Sequence, residues 1–282
     1  MPTPKPPASP KLSKSRPDVS GVENLIRAML KKHRTPFLLI RRGVLERQFQ
    51  RFRKCLPEVM PYYAIKANPN PKVIKTFIKL GAGFDVASAS EMKQVLSLGA
   101  SRDRIIFANT VKSAEDIISA RRRQVRMMTF DNEPELYKIA EHYPGAHVLL
   151  RIKVGNEGSV VNLSLKFGAD PEDAHLVLRK ARSLGLVPTG LSFHVGSQSK
   201  NVENYLQALE ISAHIFNQAK EHDVPLKIMD IGGGFPIQHF DNEIGVNFER
   251  MAFQIRKQIR QLFDKKVQFI AEPGRLLVGP AG

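Results

Sequence analysis

Lys66 stands in an otherwise apolar run, YYAIKANPN. An amine at the C-terminal end of a buried strand can be held neutral by desolvation and serve as a Schiff-base nucleophile. The plain alternative, a lysine pointing outward from a helix-covered strand, would bury an unpaired amine at considerable cost. Gly232, Gly233 and Gly234 follow another apolar run, KIMDI. A tight turn needs only one glycine. Three in a row let backbone N–H groups come close to an anion such as a phosphate. Glu272, Pro273, Gly274 and Arg275 follow a third run, QFIA. Arg275 can add a forked contact to phosphate. A carboxylate as deep as Glu272 wants a partner, either a protonated ring nitrogen or Arg275. His194, in SFHVGSQ, could act as acid or base, as a ligand, or as a flat surface under an aromatic ring. No second histidine or cysteine cluster accompanies it, so no metal site is expected. Ser197 could give its hydroxyl to the same phosphate. Cys55, the only cysteine, lies between a basic helix and a turn and is not expected to be a nucleophile.

These residues are spaced by a repeating unit. From residue 60 onward, short apolar runs alternate with longer amphipathic ones. The runs cover 61–68, 83–88, 104–109, 126–130, 147–152, 190–195, 227–234 and 268–274, each of strand length and closed by polar residues or glycine. Helical stretches lie between them, with Ser90, Ser113 and Pro134 where a helix start wants a cap or a first-turn proline. Eight β/α units with near-continuous apolar strands predict a parallel sheet covered by helices, closed as a (β/α)8 TIM barrel. An open doubly wound sheet would want a G-x-G-x-x-G turn after its first strand, where this chain has AIKANPNP. Barrel chemistry sits at the strands' C-terminal ends. There the pattern puts Lys66, Asp85, Asn109, Asp131, Arg151, His194, the glycine triplet and Glu272.

The composition fits this picture. The chain has 282 residues and a formal charge of +16. Residues 1–54 hold 14 Lys and Arg against 3 Asp and Glu, so most of the excess precedes the repeat. It is read as a solubilising extension rather than an arm for nucleic acid or lipid. Residues 1–20, basic and proline-rich, are expected to be a disordered tail, with an import leader as the lesser alternative. Residues 21–59 are expected to form N-terminal helices and a strand at 35–40, and 60–282 the barrel. No apolar run approaches the ~18 residues that span a bilayer. The single thiol points to a reducing, cytoplasmic setting.

YYAIKAN, GFDVAS, SEM, MMTFDNE, LRI, LSLKFGA, FHVGSQ, DIGGGFP and AEPGR occur in this order. Together they resemble the ornithine decarboxylase group of fold-type III pyridoxal-phosphate enzymes, over roughly residues 35–282. The resemblance implies the alanine racemase/ornithine decarboxylase type of barrel. It makes pyridoxal 5'-phosphate the cofactor and Lys66 the Schiff-base lysine. It also implies that His194 stacks on the cofactor ring, that Ser197, Gly234 and Arg275 contact phosphate beside Gly232 and Gly233, and that Glu272 faces the ring nitrogen. Asp85, Glu91 and Arg151 match further active-site positions. Lys166 matches a lysine that pairs across a homodimer interface. The implied reaction is decarboxylation of a basic amino acid, L-ornithine to putrescine first, with lysine or diaminopimelate decarboxylation, or a non-catalytic relative, as alternatives. Family members continue into a β-domain, expected to be absent here, so the barrel is read as incomplete at its C-terminus, with the 35–40 strand left as an open edge.

Overall fold

The computed structural model describes residues 20–155, 157–160, 166–238 and 246–282. The expected tail lies outside them, apart from Ser20. The chain divides into residues 1–40 and 41–282. In the first unit Ser20–Leu30 forms helix α1, on which Leu25, Ile26 and Leu30 are exposed. The strand expected at 35–40 does not form. No described segment offers that stretch a ladder, and a strand without a partner has nothing to hold it extended.

The second unit is the barrel. Its strands are β1 (Val59–Ala64), β2 (Gly83–Val86), β3 (Ile105–Phe107), β4 (Met127–Phe130), β5 (His147–Arg151), β6 (Val187–Ser192), β7 (Ile228–Asp230) and β8 (Gln268–Ala271). Each pairs in parallel with the next, and β8 returns to β1 through Val59 opposite Phe269, closing the ring. The helices are α2 (Arg42–Cys55), α3 (Pro71–Lys79), α4 (Ala89–Ser97), α5 (Ala114–Arg122), α6 (Glu133–His142), α7 (Ala174–Ser183), α8 (Glu203–Glu221), α9 (Phe248–Leu262) and the short α10 (Arg275–Val278). Strand residues are buried on both faces because helices cover the outside and Tyr62, Ile106, Leu149 and Ile270 fill the inside. Among the described residues no helix is long and apolar enough to cross a membrane.

Helices α3, α4, α5, α6 and α9 have side-chain caps at their starts. Ser88, rather than Ser90, accepts from the Glu91 N–H at the head of α4. Ser113 accepts from Asp116 N–H, and Asn132 caps α6 with Pro134 in the first turn. Ser90 lies two residues past Ser88, already inside the helix, since a cap must precede the first helical residue. The Glu91 carboxylate also accepts from Ala87 N–H, one residue before the cap, at 2.7 Å, tying the loop to the first turn.

Candidate active site

The strand ends deliver the expected residues to one place. A cavity of roughly 450 Å³ opens at the mouth, lined by Lys66, His194, Ser197, Gly234, Glu272, Pro273, Gly274 and Arg275 among others. Asp85, on β2, reaches it through Lys66, and Arg151 ends β5 beside the same carboxylates. Gly232 and Gly233 form the wall behind Gly234. Asn109 and Asp131 stand apart, engaged with Ala87 O and with Gly168 N–H. Lys166 lies with its ammonium 5.7 Å from the centre of the Phe167 ring, which the Arg151 guanidinium also approaches, at 5.0 Å.

Lys66 departs from expectation in two ways. It sits in a single 3-10 turn, Ile65–Ala67, just beyond β1 rather than inside the strand. Its side chain keeps 64% of its surface open to the mouth, with Nζ 3.7 Å from Asp85 Oδ2. The amine's pKa is raised, because the Asp85 charge outweighs burial and Glu272 adds to it. The neutral, desolvated amine expected from the apolar run is therefore an ammonium held by carboxylates. Asp85 itself is pushed up, since burial of its carboxyl exceeds the help from Lys66.

His194 is fixed as a neutral ring. Its Nδ1 accepts from Gly196 N–H at 3.0 Å, which places the ring hydrogen on Nε2. Burial, with the charges of Arg151 and Lys66 nearby, drives its pKa down to about 3. Asp230 is a site residue that sequence reading passed over. It ends β7 with no exposed surface, accepts from Gly232 N–H at 2.9 Å through Oδ1, and has its pKa pushed up to about 7 by burial. Glu272 is raised well above the carboxylate range by burial and by the charges of Asp230 and Asp85. The one signal of Asp230 in the sequence was a carboxylate inside the apolar run IMDI.

The glycine triplet is pressed against its neighbours. A Cβ on Gly232 would lie 2.0 Å from Phe193 O, on Gly233 2.7 Å from Glu272 O, and on Gly234 2.1 Å from Gly196 O. Each glycine carbonyl has a donor: Glu272 N–H to Gly232 at 2.7 Å, Tyr205 O–H to Gly233 at 2.8 Å, and Ser199 N–H to Gly234 at 2.9 Å. Among the described residues no acceptor takes the Gly233 and Gly234 amides.

Comparison with known proteins decides the family. Residues 42–279 match the pyridoxal binding domain of pyridoxal-dependent decarboxylases. The chain belongs to that family. It is 42% identical over 232 residues to the ornithine decarboxylase of Schizosaccharomyces pombe, covering 82% of this chain and 52% of the relative. A solved lysine decarboxylase of Selenomonas ruminantium, in complex with pyridoxal phosphate and cadaverine, is 39% identical with a TM-score of 0.85, covering 92% of this chain and 65% of that one. Antizyme inhibitor 2 of Xenopus laevis is 39% identical over 250 residues, 88% of this chain and 54% of the relative. The chain thus spans about half to two thirds of the length of these relatives.

The barrel of a pyridoxal-dependent decarboxylase must accept pyridoxal phosphate, and the residues present fit it. The unengaged amides of a cradle too tight for any Cβ suit a phosphate. A flat neutral imidazole, a carboxyl pair and an accessible amine surround the space beside it.

The Asp230–Glu272 couple predicts a pH dependence. In the unfolded chain Asp230 ionises near the ordinary carboxylate value, whereas in the fold it holds its proton up to about 7. Between those values the folded state binds more protons. Its stability therefore falls as pH rises, and the contribution is lost once pH passes the folded value. Asp230→Asn keeps the shape without the charge. The Tm difference between this variant and the unaltered, cofactor-free chain should grow in the variant's favour from pH 4 to pH 8. A difference that stays flat across that range would show that Asp230 does not titrate as described.

Proposed function

We propose that this chain forms the cofactor-binding barrel of a decarboxylase of basic amino acids, with L-ornithine to putrescine as the leading reaction. The observation that carries the reading is the meeting of Lys66, His194, Glu272 and the glycine cradle around one cavity. Pyridoxal phosphate, when bound, supplies the electron sink that accepts the pair left as the α-carboxylate departs as CO2. Lys66 would hold the cofactor through its amine. Its ammonium must first lose a proton, and Asp85 at 3.7 Å is placed to receive it. His194 offers a ring face and, being neutral, does not compete for a positively charged partner. Glu272, whose pKa is raised by burial and by Asp230, would ionise against a protonated ring nitrogen, with Asp230 behind it. Ser197, Gly234 and Arg275 would hold the phosphate, backed by Gly232, Gly233, Pro273 and Gly274. Arg151 sets the positive potential beside Asp85 and Glu272.

Ornithine heads the list because of the likeness to the yeast enzyme. Lysine, as in the Selenomonas structure, and diaminopimelate remain alternatives. A binder without activity is a second reading, favoured by the likeness to antizyme inhibitor 2. The intact set of Lys66, His194 and Glu272 supports the enzyme instead. We also place the protein in the cytoplasm as a homodimer, with Lys166 crossing the interface.

The test is to prepare the chain with pyridoxal phosphate, reduce it with borohydride, map the label and measure CO2 release from ornithine, lysine and arginine. Label on Lys66 and release from one of the three would support the reading. Label elsewhere would sink the assignment, and label without release would favour the binder. Glu272→Gln should lower turnover by roughly tenfold or more, since it cannot carry the charge that stabilises the ring nitrogen's proton. Pyridoxal phosphate affinity should change much less. Unaltered turnover would rule out the role given to Glu272.

A further inference from the structure

Gln198 follows Ser197 in the loop after β6, and its side chain bonds to the loop after β7. The residue is 5% exposed and sits at φ +55°, in the left-handed region that a side chain rarely adopts. A non-glycine residue stays there only where its surroundings hold it. Here its own amide does the holding. Nε2 donates to Ile237 O at 3.0 Å and Oε1 accepts from Ile237 N–H at 2.9 Å. The primary amide thus pairs with one residue of the loop after β7 in both directions, as a neighbouring strand would. Three residues before Ile237, the Gly234 carbonyl accepts from Ser199 N–H at 2.9 Å.

The bonds work together. The Ser199 and Gln198 contacts bracket the stretch 234–237 and fix its register against the β6 loop. Ser199 fixes the 234–235 peptide through the Gly234 carbonyl, and Tyr205 fixes the preceding peptide, which carries the Gly234 N–H, through the Gly233 carbonyl. The Ile237 side chain meets the segment after α10, where a Cβ on Gly279 would come within 2.3 Å of Ile237 Cδ1. Position 237 is therefore also tied to the element that begins with Arg275. One buried amide joins the three loops that carry Ser197, Gly234 and Arg275, and it lines the same cavity.

We infer that Gln198 is a positioning residue for the phosphate group: its two bonds to Ile237 hold Ser197, the Gly234 amide and the Arg275 segment at the spacing that one phosphate requires. The inference rests on the reading of this cavity as the pyridoxal phosphate site. Gln198 acts on the phosphate end of the ligand and not on the amine end, because its contacts are all with the loops after β6 and β7. A preorganised cradle binds more tightly than one that must be assembled on contact. An off-geometry amide or hydroxyl loses most of its hydrogen-bond strength.

The experiment compares Gln198→Met, which keeps length and burial but loses both bonds, with Gln198→Glu, which keeps an acceptor and loses the donor. Binding of pyridoxal phosphate and of pyridoxal, which lacks the phosphate, is titrated separately for each by absorbance. Inorganic phosphate is used as a competitor. The 31P resonance of bound pyridoxal phosphate is recorded. Gln198→Met is expected to weaken pyridoxal phosphate and inorganic phosphate by about 10- to 100-fold, broaden or shift the 31P line, and leave pyridoxal binding within about twofold. Gln198→Glu should weaken phosphate at least as much. Equal loss for pyridoxal and pyridoxal phosphate would overturn the inference in favour of general loosening. Unchanged phosphate affinity with an unchanged 31P line would overturn it outright. If the variants do not fold, hydrogen exchange on the unaltered chain decides. The Ile237 amide should be protected without ligand, and the Gly233 and Gly234 amides should gain protection when inorganic phosphate is added. An Ile237 amide that exchanges freely would refute the clamp. Failure of the unaltered chain to bind pyridoxal phosphate would instead remove the reading on which the inference rests.

Discussion

Replacing Lys112 by methionine is expected to destabilise the barrel by about 3–5 kcal/mol, the cost of breaking a buried ion pair from one side. The Lys112 side chain has no exposed surface. Its Nζ donates to Thr129 O at 2.6 Å and to Asn109 O at 2.8 Å, and lies 2.9 Å from Glu135 Oε1. An ammonium has three hydrogens to give, and all three are placed. The Phe107 ring lies beneath it, 5.7 Å away. Burial pushes the Lys112 pKa down while Glu135 pulls it up. Methionine fills much of the volume but strands two carbonyls and a carboxylate that is itself only 2% exposed. Lys138, 2.7 Å from Glu135 Oε2, keeps that carboxylate partly compensated, which argues for the lower half of the range. Adding Glu135→Leu should recover part of the loss and no more, because the Thr129 and Asn109 carbonyls stay unpaired and the Lys112 N–H loses its acceptor. Urea melts of the two single variants and the double variant measure the coupling. A loss under about 1 kcal/mol for Lys112→Met would show that this pair is not a structural tie between β3, β4 and α6.

The contrast between Lys112 and Lys66 shows what a sequence can and cannot reveal here. Lys66 interrupts an apolar run, and that irregularity marks it. Lys112 sits in the polar connection NTVKS and looks like any solvated lysine. Its burial arises only when Asn109, Thr129 and Glu135, from separate segments, close around it. Spacing also gave the eight strands and their order, because a strand covered on both faces writes itself as a short apolar run. The protonation of Lys66 was not legible. An apolar neighbourhood argues for a neutral amine, but Asp85, 3.7 Å away across β1 and β2, reverses the sign. Asp230 and Gln198 lay inside recognised motifs and were missed for the same reason. Asp230 is shifted by a burial that only the closed barrel creates, and Gln198 is clamped by Ile237 in the next loop. The segment at 35–40 failed in the opposite sense: its composition suits a strand, yet a strand is a property of two segments and not of one.

Gly234→Ala should lower pyridoxal phosphate affinity by about 10²- to 10³-fold while the barrel remains folded. Gly234 has φ +93°, a region costly to a residue with a side chain, by about 1–2 kcal/mol. The added carbon would also lie 2.1 Å from Gly196 O and 3.3 Å from Val195 Cγ2. The close contact is with backbone, so no rotamer relieves it. The chain must move, and forcing atoms into a packed site costs roughly 1–3 kcal/mol more. What yields is the loop after β7, because β7 and β8 are tied through the sheet while that loop is held to its neighbour only by the Ser199–Gly234 bond and the Gln198–Ile237 pair. Moving it withdraws the Gly234 amide from the cradle and shifts the Gly233 amide with it. Gly145→Ala is the control. It has a similar left-handed φ of +76° with nothing within 4 Å of its added carbon, so it should cost stability by about 1 kcal/mol and leave affinity alone. Equilibrium titration of both variants with pyridoxal phosphate, alongside their thermal melts, separates strain in general from damage to the cradle. If the two substitutions lowered affinity alike, the tight packing of the triplet would be a feature of the turn, and the phosphate would have to be held by some other part of the mouth.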